Sequence, residues 1–156
     1  MKRTIIASLL LTVSSIHIAE AKPNFVGANY SGTYTCKGNN NKVGSYQVQA
    51  KLMLNRAASR GNIGIYDFHV ETENSFVYKG KAVANLNKVA FTLSMTELSS
   101  SEFSTGIATI QKNKAGKYAY TNHYYEIDSN IGTYGKEYCV AQANTKTKKS
   151  VKPATT

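Results

Sequence analysis

Asp67, His69 and Glu71 alternate along the run Ile63–Thr72, so on an extended chain they project to one side and could offer O, N and O donors to a metal ion. The intervening positions are Tyr66, Phe68 and Val70. An amphipathic strand turns its apolar set to a core, which leaves the three polar residues facing water and predicts no metal centre. Nucleophilic catalysis needs a base beside the nucleophile, and beyond Ala21 the histidines are His69 and His123, far apart in the chain. No Gly-x-Ser-x-Gly elbow, His-Glu-x-x-His, Walker loop or paired-cysteine zinc spacing occurs. Asp and Glu residues remain, but spacing marks out no pair of them. The residues therefore predict a non-enzymatic protein with no cofactor.

Tyrosine is the unusual component: there are 11, all after Ala21, against no tryptophan. A buried tyrosine must find a partner for its hydroxyl, so a plain apolar core favours Phe or Leu. Tyr34, Tyr46, Tyr66, Tyr78, Tyr118, Tyr120 and Tyr124 all fall on predicted inward positions. They are candidates to line a pocket for a small amphipathic or apolar ligand, with aromatic walls and polar tips. The alternative is that they close the ends of the fold as ordinary core and rim. Lys51, Lys79, Lys81, Lys112 and Lys117 stand on strand faces, where they would meet an anionic envelope surface or simply keep the protein soluble and its edges unpaired. Nucleic acid is a poor fit, because the arginines gather only as Arg56 and Arg60 in one turn.

These residues need a scaffold, and the chain announces its compartment first. Met1–Ala21 has a basic start (Lys2, Arg3), an apolar run from Ile5 to about Val13 and the ending Ala19-Glu20-Ala21, the pattern of a secretory signal peptide cut after Ala21. The run is too short to span a bilayer, and no later stretch approaches the roughly 20 apolar residues that a spanning helix requires. Removing Lys2, Arg3 and Glu20 leaves 17 basic and 8 acidic residues, a net charge of +9. Four lysines (Lys146, Lys148, Lys149, Lys152) belong to a polar tail within 144–156 that is predicted to be disordered. Residues 22–143 form one domain's worth of chain. Its two cysteines, Cys36 and Cys139, predict a single disulfide in an oxidising compartment, periplasmic or extracellular.

Between the cysteines the chain reads as short strands and turns. The clearest alternation is Ser45–Asn55, with Tyr46, Val48, Ala50, Leu52 and Leu54 on one face and Gln47, Gln49, Lys51 and Met53 on the other. Further strands are predicted over Tyr30–Cys36, Ile63–Thr72, Phe76–Ala84, Lys88–Thr96, Ser104–Lys112 (with Ile107 and Ile110), Lys117–Glu126 and Tyr134–Val140. Turns fall at Gly38–Gly44, Asn85-Leu86-Asn87 and Asn113–Gly116, and Glu97–Phe103 has room for a helical turn. About eight strands in sequential hairpins make an antiparallel meander, whose raw edges vanish if the first strand bonds the last. The expected fold is all-β, a single antiparallel up-and-down barrel, with a two-sheet β-sandwich as the alternative.

Ser31-Gly32-Thr33-Tyr34, followed by a glycine turn and Gly44-Ser45-Tyr46, resembles the N-terminal strand of lipocalin- and avidin-type barrels. Tyr34 stands where those families carry tryptophan, and Lys136 is the base nearest the position of their last-strand arginine. The resemblance implies a barrel that carries a small ligand. A competing expectation is an exported protein-interaction module, an inhibitor or an envelope- or host-contact factor, working through loops Gly38–Gly44, Arg56–Asn62 and Glu97–Phe103. The small periplasmic lysozyme inhibitors are similar disulfide-closed barrels starting near a Tyr-x-Cys, but a chain of +9 would repel a basic lysozyme.

Overall fold

The computed structural model describes residues 23–72, 77–95, 103–127 and 132–143. The leader 1–21, the tail 144–156 and the predicted helical turn before Phe103 lie outside the described residues. Eight strands run β1 (Gly32–Asn40), β2 (Gly44–Leu54), β3 (Ile63–Thr72), β4 (Val77–Asn85), β5 (Lys88–Met95), β6 (Phe103–Lys112), β7 (Tyr118–Ile127) and β8 (Thr133–Ala141). Each bonds antiparallel to its sequence neighbours, and β8 returns to β1, so the sheet closes as an up-and-down barrel rather than a sandwich.

Local sequence explains the connections. Leu86-Asn87 joins β4 to β5 in the two-residue hairpin that the asparagines predict, with Leu86 at φ 53°. Asn113 Oδ1 accepts from the amides of Ala115 (3.0 Å) and Lys117 (3.1 Å), shaping the β6–β7 turn. The turn expected over Gly38–Gly44 is shorter than its composition implies. Gly38, Asn39 and Asn40 continue β1, paired with Tyr46, Ser45 and Gly44 on one side and with Glu137, Lys136 and Gly135 on the other. Asn40 then caps the remaining turn, its Oδ1 accepting from Lys42 N at 2.8 Å. Ile107 and Ile110 have opposite parity, and the pleat leaves Ile107 63% exposed on the outer face while Ile110 is buried.

The seam is fastened where β1 meets β8. Cys36 and Cys139 are direct cross-strand partners, and both side chains point into the barrel, where they form a disulfide closing 103 residues of sequence separation. Around it lies a core of Tyr34, Ala50, Leu52, Phe68, Phe91, Ile110 and Tyr120, with ring centroids 4.6 Å apart for Phe68–Phe91 and 5.2 Å for Tyr34–Tyr120. Full burial of each large side chain contributes about 1.5–3 kcal/mol.

This core fills only one half of the barrel. Its outer limit is a strap of residues 24–30 drawn across the barrel end, tied to the β2–β3 loop by Val26 N to Gly61 O (2.9 Å) and Gly61 N to Asn24 O (3.1 Å). Tyrosine hydroxyls hold the strap's backbone from below. Tyr34 donates to Tyr30 O (2.8 Å), Tyr66 donates to Ala28 O (3.1 Å) and accepts from Tyr30 N (3.2 Å). Tyr30 itself turns inward, donates to Leu86 O (2.8 Å) and presents its ring edge-on to Tyr118, centroids 5.1 Å apart. Phe at these positions would fill the space and leave the strap's polar backbone groups without partners.

Two predictions follow from this half of the molecule. Cys36→Ala/Cys139→Ala loses the seam's covalent link and is expected to unfold about 2–5 kcal/mol more easily in urea; an unchanged midpoint would mean the barrel closes without it. Tyr66→Phe keeps the ring but deprives the strap of a donor and an acceptor, a cost of about 1–3 kcal/mol. Hydrogen exchange at the amides of Val26 and Tyr30 should accelerate in that variant, and unchanged protection would dismiss the hydroxyl's role.

Candidate ligand cavity

The opposite end of the barrel is open. Strand residues that continue the inward rows there are smaller or polar, and they enclose a cavity of about 620 Å³, within the ordinary range of small-molecule sites of about 300–1,000 Å³. Its two sides differ in character. Val48 (β2), Val70 (β3), Tyr78 (β4) and Leu93 (β5) supply a mainly apolar wall, bordered by Ser45, Gln47 and Thr72 of the same strands, and Phe103 (β6) and Ile127 (β7) lie exposed at the rim. The strands on either side of the seam supply a polar one: Asn40 from β1, Asn122, Tyr124 and Glu126 from β7, Thr133 and Glu137 from β8.

Glu137 is the deepest charge. It shares the inward parity of Cys139 and is only 8% exposed. A carboxylate taken from water needs donors, and Glu137 has two: Asn122 Nδ2 at 3.0 Å on Oε1 and the Tyr46 hydroxyl at 3.2 Å on Oε2. Asn122 serves it at a cost. With its amide nitrogen committed to the carboxylate, its Oδ1 is buried against Gly106 without a partner among the described residues. Burial pushes the Glu137 carboxyl above its ordinary value, against the pull of Asn122 and Tyr46, and neighbouring Glu126 adds to the rise. Burial, with the Glu137 charge behind it, drives the Tyr46 hydroxyl far upward, so it remains a donor.

A second set of contacts sits nearer the mouth. Asn40 Nδ2 lies 3.2 Å from the Tyr124 hydroxyl and 3.4 Å from both Glu126 Oε2 and Thr133 Oγ1, while Thr133 donates to Glu126 at 3.1 Å. The tyrosine rings reach this position because glycines face them. A Cβ on Gly38 would collide with the Tyr46 ring, and one on Gly135 with the Tyr124 ring.

The tyrosines singled out from sequence thus divide into two groups. Tyr46, Tyr78 and Tyr124 line the cavity. Tyr34, Tyr66 and Tyr120 are sealed in the filled half, and Tyr118 packs with Tyr30 at the closed end, so these four do not border the open space. Their positions along the strands decide this, since inward parity says which face a residue takes but not at which depth it ends. Glu137, Asn122, Asn40 and Glu126 are site residues that the tyrosine pattern passes over. For Glu137 and Asn122 a signal existed: they alternate with Cys139 and with Tyr120 and Tyr124 on the inward face.

Asp67, His69 and Glu71 point outward, as their parity requires, and Asp67 is ion-paired to Lys81 across the β3–β4 ladder. Lys51 and Lys79 flank His69 in one cross-strand row of the outer face, while Lys112 lies over the Tyr118 ring, 5.8 Å from its centroid. His123 is also exposed. Neither histidine enters the cavity. Donor atoms of Cys36, Glu137 and Cys139 lie within 4.8 Å of one another, but the disulfide consumes both thiols and leaves no ligand set. Of the loops weighed as interaction surfaces, Gly38–Gly44 borders the mouth and Arg56–Asn62 lies at the far end beside the strap. Among the described residues no helix is long and apolar enough to cross a membrane.

Compared with known proteins, the chain matches no family model, no curated protein and no solved structure. Both oxygens of Glu137 already accept hydrogen bonds, an arrangement suited to holding charge in place.

Glu137 has a measurable consequence for stability. A folded-state carboxyl pKa above the unfolded value of 4.5 means that the native protein holds this proton more tightly than the unfolded chain. The resulting stabilisation is complete below the unfolded value and is lost as pH rises through the folded one. Glu137→Gln removes that dependence. Urea unfolding from about pH 4 to 8 should show the parent losing stability relative to Glu137→Gln as pH rises; parallel profiles would show that Glu137 is not held above its ordinary value.

Proposed function

We propose that this protein is an exported, non-enzymatic carrier that binds a small amphipathic or apolar molecule in the open half of its barrel. The observation that carries the reading is the division of the interior: one half packed solid by aromatic side chains, the other hollow at about 620 Å³ with one apolar and one polar wall. A solid interaction module would have no use for the hollow, since unfilled core space is destabilising. The lipocalin-like sequence pattern and the signal-peptide pattern of Met1–Ala21 support the same reading, and the disulfide suits an oxidising compartment.

Native mass spectrometry of the protein purified from its exporting cell should reveal an added mass that disappears on denaturation. Leu93→Trp, which puts a bulkier side chain on the apolar wall, should lose that mass while still unfolding cooperatively. A bare mass from the parent, combined with failure to take up any small amphiphile, would remove the carrier reading.

A further inference from the structure

The carrier reading leaves open what kind of molecule is carried, and the cavity's polar wall narrows it. We propose that the ligand is a cationic amphiphile, an ammonium head on an apolar body, with the head seated at Glu137 and the body against Val48, Val70 and Leu93. The inference rests on the carrier reading and specifies its ligand.

Three observations carry it. First, the charge buried in the polar wall is a carboxylate, Glu137, with Glu126 nearer the mouth, where Lys42 is the one basic side chain among the described lining residues. A carboxylate or phosphate head entering this wall would meet like charge in a partly desolvated space, whereas a cation would be attracted there. Second, Glu137 is held by Asn122 and Tyr46, yet two hydrogen bonds do not exhaust the four or so acceptor positions of a carboxylate. Third, the two carboxylates come from β7 and β8, whereas the aliphatic side chains Val48, Val70 and Leu93 come from β2, β3 and β5 across the barrel. A molecule of one polar end and one greasy end can satisfy both walls at once, while a uniformly polar solute such as a sugar would leave Val48, Val70 and Leu93 wet against it.

Protonation links to this ligand with a definite sign. The titratable groups facing Glu137 are Tyr46 from β2, Tyr120, Tyr124 and Glu126 from β7, and all three phenols are pushed above their ordinary range and stay neutral. Lowering the pH therefore discharges Glu137, and an ammonium ligand should lose affinity as it protonates. Across the same range an uncharged ligand should be indifferent.

Isothermal calorimetry with the full exported chain tests the assignment, using octylammonium, octanol and octanoate at constant ionic strength. Octylammonium should bind roughly 10–100-fold tighter than octanol, the range expected for a hydrogen bond to a charged group, and octanoate should bind most weakly. Glu137→Gln should bring octylammonium close to octanol while shifting octanol far less, a split that a merely structural role for Glu137 would not produce. Should that variant fold poorly, the pH profile of the parent serves in its place: octylammonium affinity falling with pH while octanol stays level supports the assignment. Octanol binding as tightly as octylammonium, or octanoate binding tightest, would overturn the cationic head while leaving a carrier. Failure of all three to bind, together with a bare native mass, would remove the carrier as well.

Discussion

From Tyr34 to Asn40, β1 is hydrogen-bonded on both edges, to β2 by a tight hairpin and to β8 from the far end of the barrel domain's sequence. Every other strand pair is local, joined to its neighbour by a short connection and able to form early. The β1–β8 seam alone must recruit two segments about a hundred residues apart, and until it forms, a seven-ladder sheet has two open edges. Placing Cys36 opposite Cys139 within that seam makes closure durable. It also fixes register, because slipping β8 by one residue would turn Cys139 and Glu137 outward and expose both the sulfur and the site.

Closure creates an interior, and the interior then has to be accounted for layer by layer. An eight-stranded barrel is just wide enough for side chains to fill it. In the lower half large rings and branched aliphatics do so, with Tyr34, Phe91 and Tyr120 meeting near the axis. Above the disulfide the inward rows of β1, β6 and β8 change to Gly38, Gly106 and Gly135 interleaved with polar side chains, and two of the rings there, Tyr46 and Tyr124, lie folded against glycine backbone. The hollow is therefore written into the sequence as small residues at inward positions. Its polar lining is tolerable because, among the described lining residues, Asn122 Oδ1 is the one buried side-chain polar atom left without a partner, and it accompanies the paired Glu137 charge.

The parts of this architecture that were legible in the sequence are those governed by period two. Strand existence, the inward tyrosines, the outward Asp67, His69 and Glu71, the closure of the meander and the cysteine pairing all follow from alternation and from the logic of edges. What alternation cannot convey is depth along the barrel axis. Tyr34 and Tyr46 look equivalent as inward tyrosines, yet the first stands beneath the strap and the second at the mouth, because β1 and β2 run in opposite directions from different turns. The strand content of Gly38-Asn39-Asn40 was hidden for a different reason. Glycine and asparagine favour turns when nothing else constrains them, and here two flanking strands override that preference.

Surface charge and cavity charge point in opposite directions in this protein, and burial decides which has the stronger field inside the barrel. Lys51, Lys79 and Lys81 stand on the outer face, exposed to water and counterions, where attraction to an anion is screened within about 10 Å at ordinary salt. Glu137 sits inside the barrel with low-dielectric walls around it, where the same unit charge acts with several times the strength. A net basic composition thus describes how the outside of the barrel meets surfaces and solvent. The field inside the barrel is set instead by a carboxylate that sequence-wide charge counting makes invisible, one acidic residue outnumbered by lysines yet placed where its field is least diluted.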